Sequence, residues 1–136
     1  MVDVVDTATR SRMMAGIGAR DTRPEHAVRR YLHAAGLRFR LHGRKLPGRP
    51  DLVFPARKTV VFVHGCFWHR HVDCRFATTP TTRPAFWQHK FSSNVDRDLR
   101  VAKSLRSMGW RVLVVWECEA RNELALDRLF WRIVSV

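Results

Sequence analysis

The segment from Val60 to Cys74 constrains the fold of this 136-residue chain more than any other part of it. Residues 60–63 are continuously apolar and suit a buried strand. The next eleven residues bring three histidines, two cysteines and two large aromatic residues together. Imidazoles and thiols make polar demands that an aliphatic core cannot meet. We therefore expect a functional site at the end of this strand.

The charge balance indicates a polyanionic partner. The chain has 25 Lys and Arg against 12 Asp and Glu, which gives a formal net charge of +13 and a pI near 11.4. Such a field attracts polyanions, and the planar guanidinium of arginine suits phosphate. Nucleic acid is favoured over an acidic membrane surface and over a basic protein that is merely soluble. Three cysteines, two of them beside histidines, favour a cytoplasmic chain with metal-bound thiolates over a secreted disulfide scaffold.

Hydrophobic periodicity predicts an α/β protein with a mixed central sheet flanked by helices. Thr22 can cap the first helix, Pro24 fits its first turn, and Glu25 stands at the capping-box position. Ser and Asn residues at 92–94 favour a break in the second helix. The predicted order is helix, three strands, helix, strand and helix. The predicted helices cover 22–35, 86–109 and 123–133, and the predicted strands cover 37–41, 51–54, 59–63 and 111–116. We expect a short basic arm or helix over residues 1–20 and one domain over 21–136.

The cysteines and one histidine predict a metal site. Cys66, His71 and Cys74 come from one loop, and Cys118 follows a separate strand. A set of three cysteines and one histidine is typical of a closed, tetrahedral structural zinc site. The alternative is that Cys118 is a small buried hydrophobe and the other three residues are incidental.

A second candidate site lies at the hairpin. Asp51 begins a strand whose partner delivers His64 to the same end of the sheet. Phosphodiester cleavage commonly uses a carboxylate that holds hydrated magnesium, although a turn aspartate after proline needs no such role. His64 and His69 remain after His71 is assigned to zinc, and an imidazole can move the proton of water or of a leaving oxygen. Either histidine could instead be structural. Capping already explains Glu25, and a role at the site can coexist with it.

Aromatic residues beside cations suggest contacts with bases. Phe67 and Trp68 lie inside the cysteine loop, and Phe86 and Trp87 begin a helix near Lys90. Aromatic faces can stack on bases, and apolar wedges can enter a base step and kink a duplex. The usual alternative is core packing, which we favour for Phe86 and leave open for Trp87.

Taken together, the motifs resemble those of the very short patch repair (Vsr) endonucleases. They occur in the family's order from about Asp3 to Cys118 and read Leu-Pro-Gly-Arg-Pro-Asp51, Val-His-Gly-Cys-Phe-Trp-His69, Thr-Arg-Pro-Ala-Phe-Trp87, Asn94-Val-Asp-Arg-Asp98 and Gly-Trp-Arg-Val-Leu-Val-Val-Trp-Glu-Cys118. The resemblance implies a restriction-endonuclease-like fold with structural zinc. It also implies a magnesium-dependent nick 5′ of the thymine in a T:G mismatch, the lesion left when 5-methylcytosine is deaminated.

The resemblance further implies a role for each matching residue. Asp51 would bind magnesium with the backbone carbonyl of Val63, and His69 would be the general acid/base, supported by His64 and Glu25. The implied zinc ligands are Cys66, His71, Cys74 and Cys118. The implied DNA contacts are of three kinds. A wedge would enter from the major groove and consist of Phe67, Trp68 and Trp87. Met14 on the arm would enter the minor groove, and Lys90 and Asn94 would lie near the mismatched pair.

Some residues depart from the family pattern. Residue 63 is Val, where the best-known member has Thr, so only a backbone role survives there. One extra residue separates His71 from Cys74, and residue 70 is Arg in place of another histidine.

The expected partner is double-stranded DNA with a mismatch, bound by a monomer near the nucleoid of a bacterial cytoplasm, with repair proteins acting downstream. The alternatives are a zinc-stabilised DNA-binding module without catalysis and a nicking nuclease of different specificity.

Overall fold

The computed structural model describes residues 22–135, in which four strands form one mixed sheet. The sheet order follows the chain: β1 pairs antiparallel with β2, β2 antiparallel with β3, and β3 parallel with β4. The strands are β1 (Arg40–Leu41), β2 (Leu52–Phe54), β3 (Thr59–His64) and β4 (Arg111–Trp116). The helices are α1 (Arg23–Ala34), α2 (Pro84–Ser107) and α3 (Glu123–Val134). The expected mixed sheet flanked by helices is confirmed.

Helices cover both faces of the sheet. Alternate strand residues point to opposite sides, and apolar side chains on each side pack against a helix. Leu52, Val61 and Leu113 pack with α1 and α3 in one core cluster. Val53 and Val60 face the other way and pack with Leu105 of α2. The strand β3 is therefore buried on both sides, and its continuous apolar run is explained by position.

The first helix begins as its sequence predicts. The Oγ1 atom of Thr22 accepts a hydrogen bond from the Glu25 N–H at 3.4 Å, which satisfies one of the donors left free at a helix start. Val28 and Leu32 are fully buried on the inner side of α1. This packing fixes the first turn of α1, with Glu25, beside the hairpin.

Two details differ from the expectations. The predicted break at 92–94 is wrong, because α2 runs without interruption through these residues. Buried Trp87 and Phe91 before them and Leu105 after them anchor the helix, and tertiary packing outweighs weak local propensity. The first strand is also shorter than 37–41, since only Arg40 and Leu41 pair with β2.

The turn before Asp51 packs tightly against α2. Gly48 has φ +71°, a region that glycine adopts readily, and a Cβ atom at this position would overlap the Val101 side chain. Glycine thus lets the turn approach the helix, which fixes where β2 begins. In residues 22–135 none of the helices combines the length and apolar character needed to cross a membrane.

Candidate functional site

A cavity of about 540 Å³ opens where the hairpin, the start of α1 and the middle of α2 meet. Its wall contains four of the residues singled out from the sequence for catalysis, together with basic and polar neighbours. The four are Glu25, Asp51, His64 and His69. Residues far apart in the chain therefore converge on one space.

Asp51 is held by β3 and faces a second carboxylate. Its Oδ2 atom accepts a hydrogen bond from the Val63 N–H at 2.6 Å. The N–H and C=O of a residue in an extended strand point to the same side, so the Val63 carbonyl also faces the Asp51 side. Glu25 is only 3% exposed, and its Oε2 atom accepts a hydrogen bond from Arg29 at 3.0 Å.

Burial is the main reason that the pKa of Asp51 rises to about 7, and the nearby Glu25 carboxylate raises it further. The hydrogen bond from Val63 opposes this shift. Two buried carboxylates repel each other when both are ionised. A divalent cation between them would remove that repulsion, so the donor set fits a metal ion.

His42 joins this pair and was not predicted from the sequence. One ligand atom each from Glu25, His42 and Asp51 lie within 4.8 Å of one another. The His42 N–H donates to the Asp51 carbonyl at 3.2 Å, which extends the pairing of β1 with β2. The signal that could have found His42 is its register opposite Asp51, which requires knowledge of the strand pairing.

A second group contains His64, His69 and Asp98. The two imidazole rings stack with centroids 3.9 Å apart, and Nδ1 of His69 lies 2.5 Å from Oδ2 of Asp98. Burial, then the neighbouring His69, lowers the pKa of His64 to about 4, with Asp98 acting in the opposite direction. His64 is therefore neutral near pH 7. Asp98 was not among the predicted site residues, although it lies one helical turn after Asn94, which was.

The expected metal ligands come together in a third group. One ligand atom from each of Cys66, His71, Cys74 and Cys118 lies within 4.8 Å of the others. The His71 Nδ1 atom is 3.6 Å from Sγ of Cys66 and 3.5 Å from Sγ of Cys118. Its ring stacks on Trp116 with centroids 4.2 Å apart. Burial raises the pKa of Cys66 to about 12. Three thiols and an imidazole form a donor set that could hold a four-coordinate metal ion.

Four aromatic rings form a cluster beside the cavity: Phe67, Trp68, Trp87 and Phe91. We call this set the aromatic cluster. Trp87 and Phe91 are each 8% exposed, whereas Phe67 and Trp68 are half-buried. Phe91 was not predicted to belong to the cluster.

The surroundings of the aromatic cluster contain the remaining predicted residues. The Lys90 Nζ atom lies 5.9 Å from the Trp68 ring centroid, and the Asn94 amide donates to the Trp68 carbonyl at 3.5 Å. The expectation that Phe86 is core is wrong, because it is 42% exposed with the Arg83 guanidinium 4.3 Å from its ring. Adjacent residues point about 100° apart on a helix, so α2 can bury only Trp87 of the pair. Met14 and the predicted arm lie outside the described residues.

A partly buried carboxylate pair, a histidine–carboxylate pair and a cluster of soft ligands, on a strongly basic chain, are features of a metal-dependent nuclease. The sequence comparisons agree that the chain is a nuclease. A family model described as DNA mismatch endonuclease Vsr matches residues 2–75. The chain is 48% identical over 122 residues to the DNA mismatch endonuclease Vsr of Escherichia coli strain K12, covering 90% of this chain and 78% of that protein.

Two other relatives extend the similarity over nearly the whole chain. The type II nicking enzyme V.XorIIP of Xanthomonas oryzae pv. oryzae is 47% identical over 127 residues, 93% of each chain. The type II nicking enzyme V.NmeAIP of Neisseria meningitidis is 40% identical over 134 residues, 98% of this chain and 95% of the relative. The chain belongs to the Vsr family of DNA mismatch endonucleases. The resemblance inferred from the motifs is confirmed, and the chain is an enzyme of the endonuclease class.

Proposed function

We propose that this chain is a magnesium-dependent endonuclease that nicks one strand of double-stranded DNA 5′ of the thymine in a T:G mismatch. Such a mismatch arises when 5-methylcytosine is deaminated. The observation that carries the proposal is the convergence of Asp51 and Glu25 with His69 and Asp98 on one cavity. Relatives named as a mismatch endonuclease and as nicking enzymes support the same reading. We also propose that the fold is restriction-endonuclease-like.

The carboxylate pair is the proposed magnesium site. Asp51 and the Val63 carbonyl would hold the ion, and Glu25 would support the site through hydrogen bonds to water. When bound, magnesium would stabilise negative charge on the scissile phosphate and make water more acidic. The raised pKa of Asp51 supports this assignment, because burial and the Glu25 carboxylate outweigh the Val63 hydrogen bond and the Arg29 charge that favour the ionised form.

His69 is the proposed general acid/base. If Asp98 accepts a hydrogen bond from Nδ1–H of His69, the tautomer is fixed and Nε2 is left to exchange a proton with water or the leaving oxygen. Asp98 is then a positioning residue. His64 stacks on His69 and is neutral at pH 7, so it restrains the ring without adding a second positive charge.

The cysteine and histidine cluster is the proposed structural zinc site. Its ligands would tie the loop after β3 to the segment after β4, because Cys118 lies in that segment. His69 and the half-buried rings of Phe67 and Trp68 lie in that same loop. Zinc would therefore hold both the proton-transfer group and the leading aromatic residues in place.

Mismatch selectivity would come from the aromatic cluster. A wobble pair is easier to unstack than a matched pair, and an aromatic wedge between base steps kinks the duplex. Phe67 and Trp68 would lead the wedge, and buried Trp87 would reach the bases only after the cluster opens. Lys90 and Asn94 lie beside Trp68 and would contact the DNA near the mismatch. The arm over residues 1–20, with Met14, is proposed to enter the minor groove.

A nick in one strand requires one active site, so we propose that a monomer acts, with a single domain over residues 21–136. A DNA substrate and metal-bound thiolates suit the bacterial cytoplasm near the nucleoid. Other repair proteins would then process the nick.

The test is cleavage of a duplex labelled differently on its two strands. The duplex carries T:G, A:T or G:C at one position and is incubated with zinc-loaded protein, with and without magnesium. We expect a cut in the thymine strand of the T:G duplex alone, 5′ of the thymine, and only with magnesium. Equal cutting of all three duplexes would contradict mismatch specificity. Cutting of a matched site would instead favour the alternative nicking nuclease.

Variants separate catalysis from binding. Asp51→Ala should bind the T:G duplex with nearly unchanged affinity but nick it at least 10³-fold more slowly, because removal of a catalytic group commonly costs that much. Asp127→Ala is the matched control, because Asp127 is exposed on α3, which contributes no residue to the cavity wall. Unchanged nicking by Asp51→Ala would contradict the proposed site. The absence of nicking by the unaltered protein would favour the DNA-binding module.

A further inference from the structure

The proposed metal site at the hairpin has an imidazole, that of His42, close to the carboxylates of Glu25 and Asp51. After the last strand pair, Leu41 with Leu52, the His42 N–H donates to the Asp51 carbonyl at 3.2 Å and the Gly43 N–H donates to the Pro50 carbonyl at 2.9 Å. Two successive N–H groups can donate to the same neighbouring strand only where the backbone leaves the extended conformation. The turn at His42 holds its imidazole near the Asp51 carboxylate, and one ligand atom from each of His42, Asp51 and Glu25 lies within 4.8 Å of the others.

The backbone at His42 is in an unusual conformation. Its φ angle is +52°, in the left-handed region that residues other than glycine adopt infrequently. Such conformations persist where the surrounding structure fixes them and are common at functional sites. The His42 side chain also lines the cavity that contains Asp51 and His69. The backbone conformation and the position in the cavity wall thus place this histidine at the proposed nuclease centre.

We propose that His42 is a further protein ligand of the ion held by Asp51 and the Val63 carbonyl, beside Glu25, so that this centre binds first-row transition metal ions more tightly than it binds magnesium. The ligand atoms of the three residues lie within 4.8 Å of one another. Donors that share one ion at about 2.1 Å lie roughly 3 to 4 Å apart, so small side-chain rotations suffice. Magnesium prefers oxygen donors and retains its water, whereas imidazole favours ions such as Fe²⁺, Co²⁺ and Ni²⁺. The inference rests on the proposed nuclease function of the same cavity.

The test measures metal binding in the absence of DNA. Zinc-loaded protein is titrated with Co²⁺ and with Mg²⁺ by calorimetry, while its zinc content is monitored so that exchange at the cysteine cluster is detected. We expect Co²⁺ to bind at least about tenfold more tightly than Mg²⁺. His42→Asn should weaken Co²⁺ binding about tenfold or more and change Mg²⁺ binding by less than about threefold. Asparagine tolerates positive φ, so this variant should fold.

Two further variants sharpen the result. His42→Asp replaces nitrogen by oxygen and should narrow the preference for Co²⁺ over Mg²⁺. His33→Asn removes an exposed histidine of α1 that does not line the cavity, and it should bind both ions as the unaltered protein does. Proton NMR of the Co²⁺-loaded protein should show shifted imidazole resonances that disappear in His42→Asn and persist in His33→Asn.

The outcomes distinguish this proposal from the proposed function. Equal Co²⁺ affinity in the unaltered protein and in His42→Asn, with the shifted resonances retained, would overturn the role of His42. Nicking of the T:G duplex with magnesium would still support the endonuclease in that case. Conversely, loss of Co²⁺ binding in His42→Asn by a protein that does not nick any duplex would support the ligand and contradict the nuclease.

Discussion

Asp51 shows how a site residue can oppose the stability of its own fold. Its carboxyl group is buried beside Glu25, and burial raises its pKa to about 7 from the ordinary value of 3.8. The folded protein therefore holds a proton that the unfolded chain has lost between these pH values. Stability contributed by the neutral group is fully present below pH 3.8 and is lost as the pH rises through 7. A bound cation would offset this loss, so the site is suited to a ligand.

Asp51→Asn should stabilise the protein when no divalent cation is added. The amide keeps an acceptor for the Val63 N–H and offers a donor to Glu25. We expect the free energy of unfolding of the variant to exceed that of the unaltered protein by about 1–3 kcal/mol at pH 8, since each pKa unit corresponds to about 1.4 kcal/mol. Thermal unfolding of zinc-loaded protein from pH 4 to 8 checks this. The difference should vanish near pH 4 and shrink with saturating magnesium, and Asp127→Asn should show neither effect. A pH-independent difference would contradict the argument.

The loop after β3 is organised by Arg70 as well as by the cysteine cluster. The guanidinium donates to the carbonyls of Phe67, Ala77 and Thr78 and to Oγ1 of Thr79, at 2.8–3.2 Å. It also lies 4.0 Å from the centroid of the Phe91 ring. One side chain thus joins the part of the loop that carries the aromatic cluster to the segment before α2.

Arg70→Ala should lower the free energy of unfolding by about 1–3 kcal/mol, because three partly buried carbonyls lose their donor. Arg70→Lys should recover only part of the lost stability, since an ammonium group lacks the planar, forked set of donors of a guanidinium. Urea unfolding with zinc bound, together with limited proteolysis of residues 66–79, measures both effects. Arg75→Ala is the control from the same loop, because Arg75 is exposed. If Arg70→Ala and Arg75→Ala unfold alike, the loop does not depend on these hydrogen bonds.

Elements could be predicted from the sequence more fully than the contacts between them. Periodicity and capping located the three α-helices of residues 22–135, and residue chemistry singled out the four residues that the structure brings together in the cysteine cluster. His42 and Asp98 were missed, because their places depend on strand register and on the rotation of α2. Phe86 was misjudged for the same reason: hydrophobicity does not show which of two adjacent helical aromatics faces the core. Local pattern fixes an element, whereas a site also depends on how elements pack.

At the scale of the whole molecule, the positive charge and the site are linked. The net charge is +13, and the cavity wall that holds Asp51 also contains Arg44, Arg49 and Arg97. Guanidinium groups beside a carboxylate site can bind the phosphates that flank a scissile bond. The same field attracts any DNA, so charge supplies affinity while the aromatic cluster would supply selectivity.

Binding to DNA should therefore fall steeply with salt, and equally for T:G and matched duplexes. A protein that makes six or more phosphate contacts loses about 10³ in affinity between 50 and 200 mM salt. Fluorescence anisotropy without magnesium keeps the duplex intact and gives the slope of log K against log salt. Arg97→Ala should reduce the slope by about one, whereas Arg128→Ala on α3, away from the cavity wall, should leave it unchanged.

The ratio of the affinity for the T:G duplex to the affinity for the matched duplex should stay constant in both variants, because a phosphate contact carries no sequence information. A ratio that changes in Arg97→Ala would instead assign Arg97 to recognition of the mismatch.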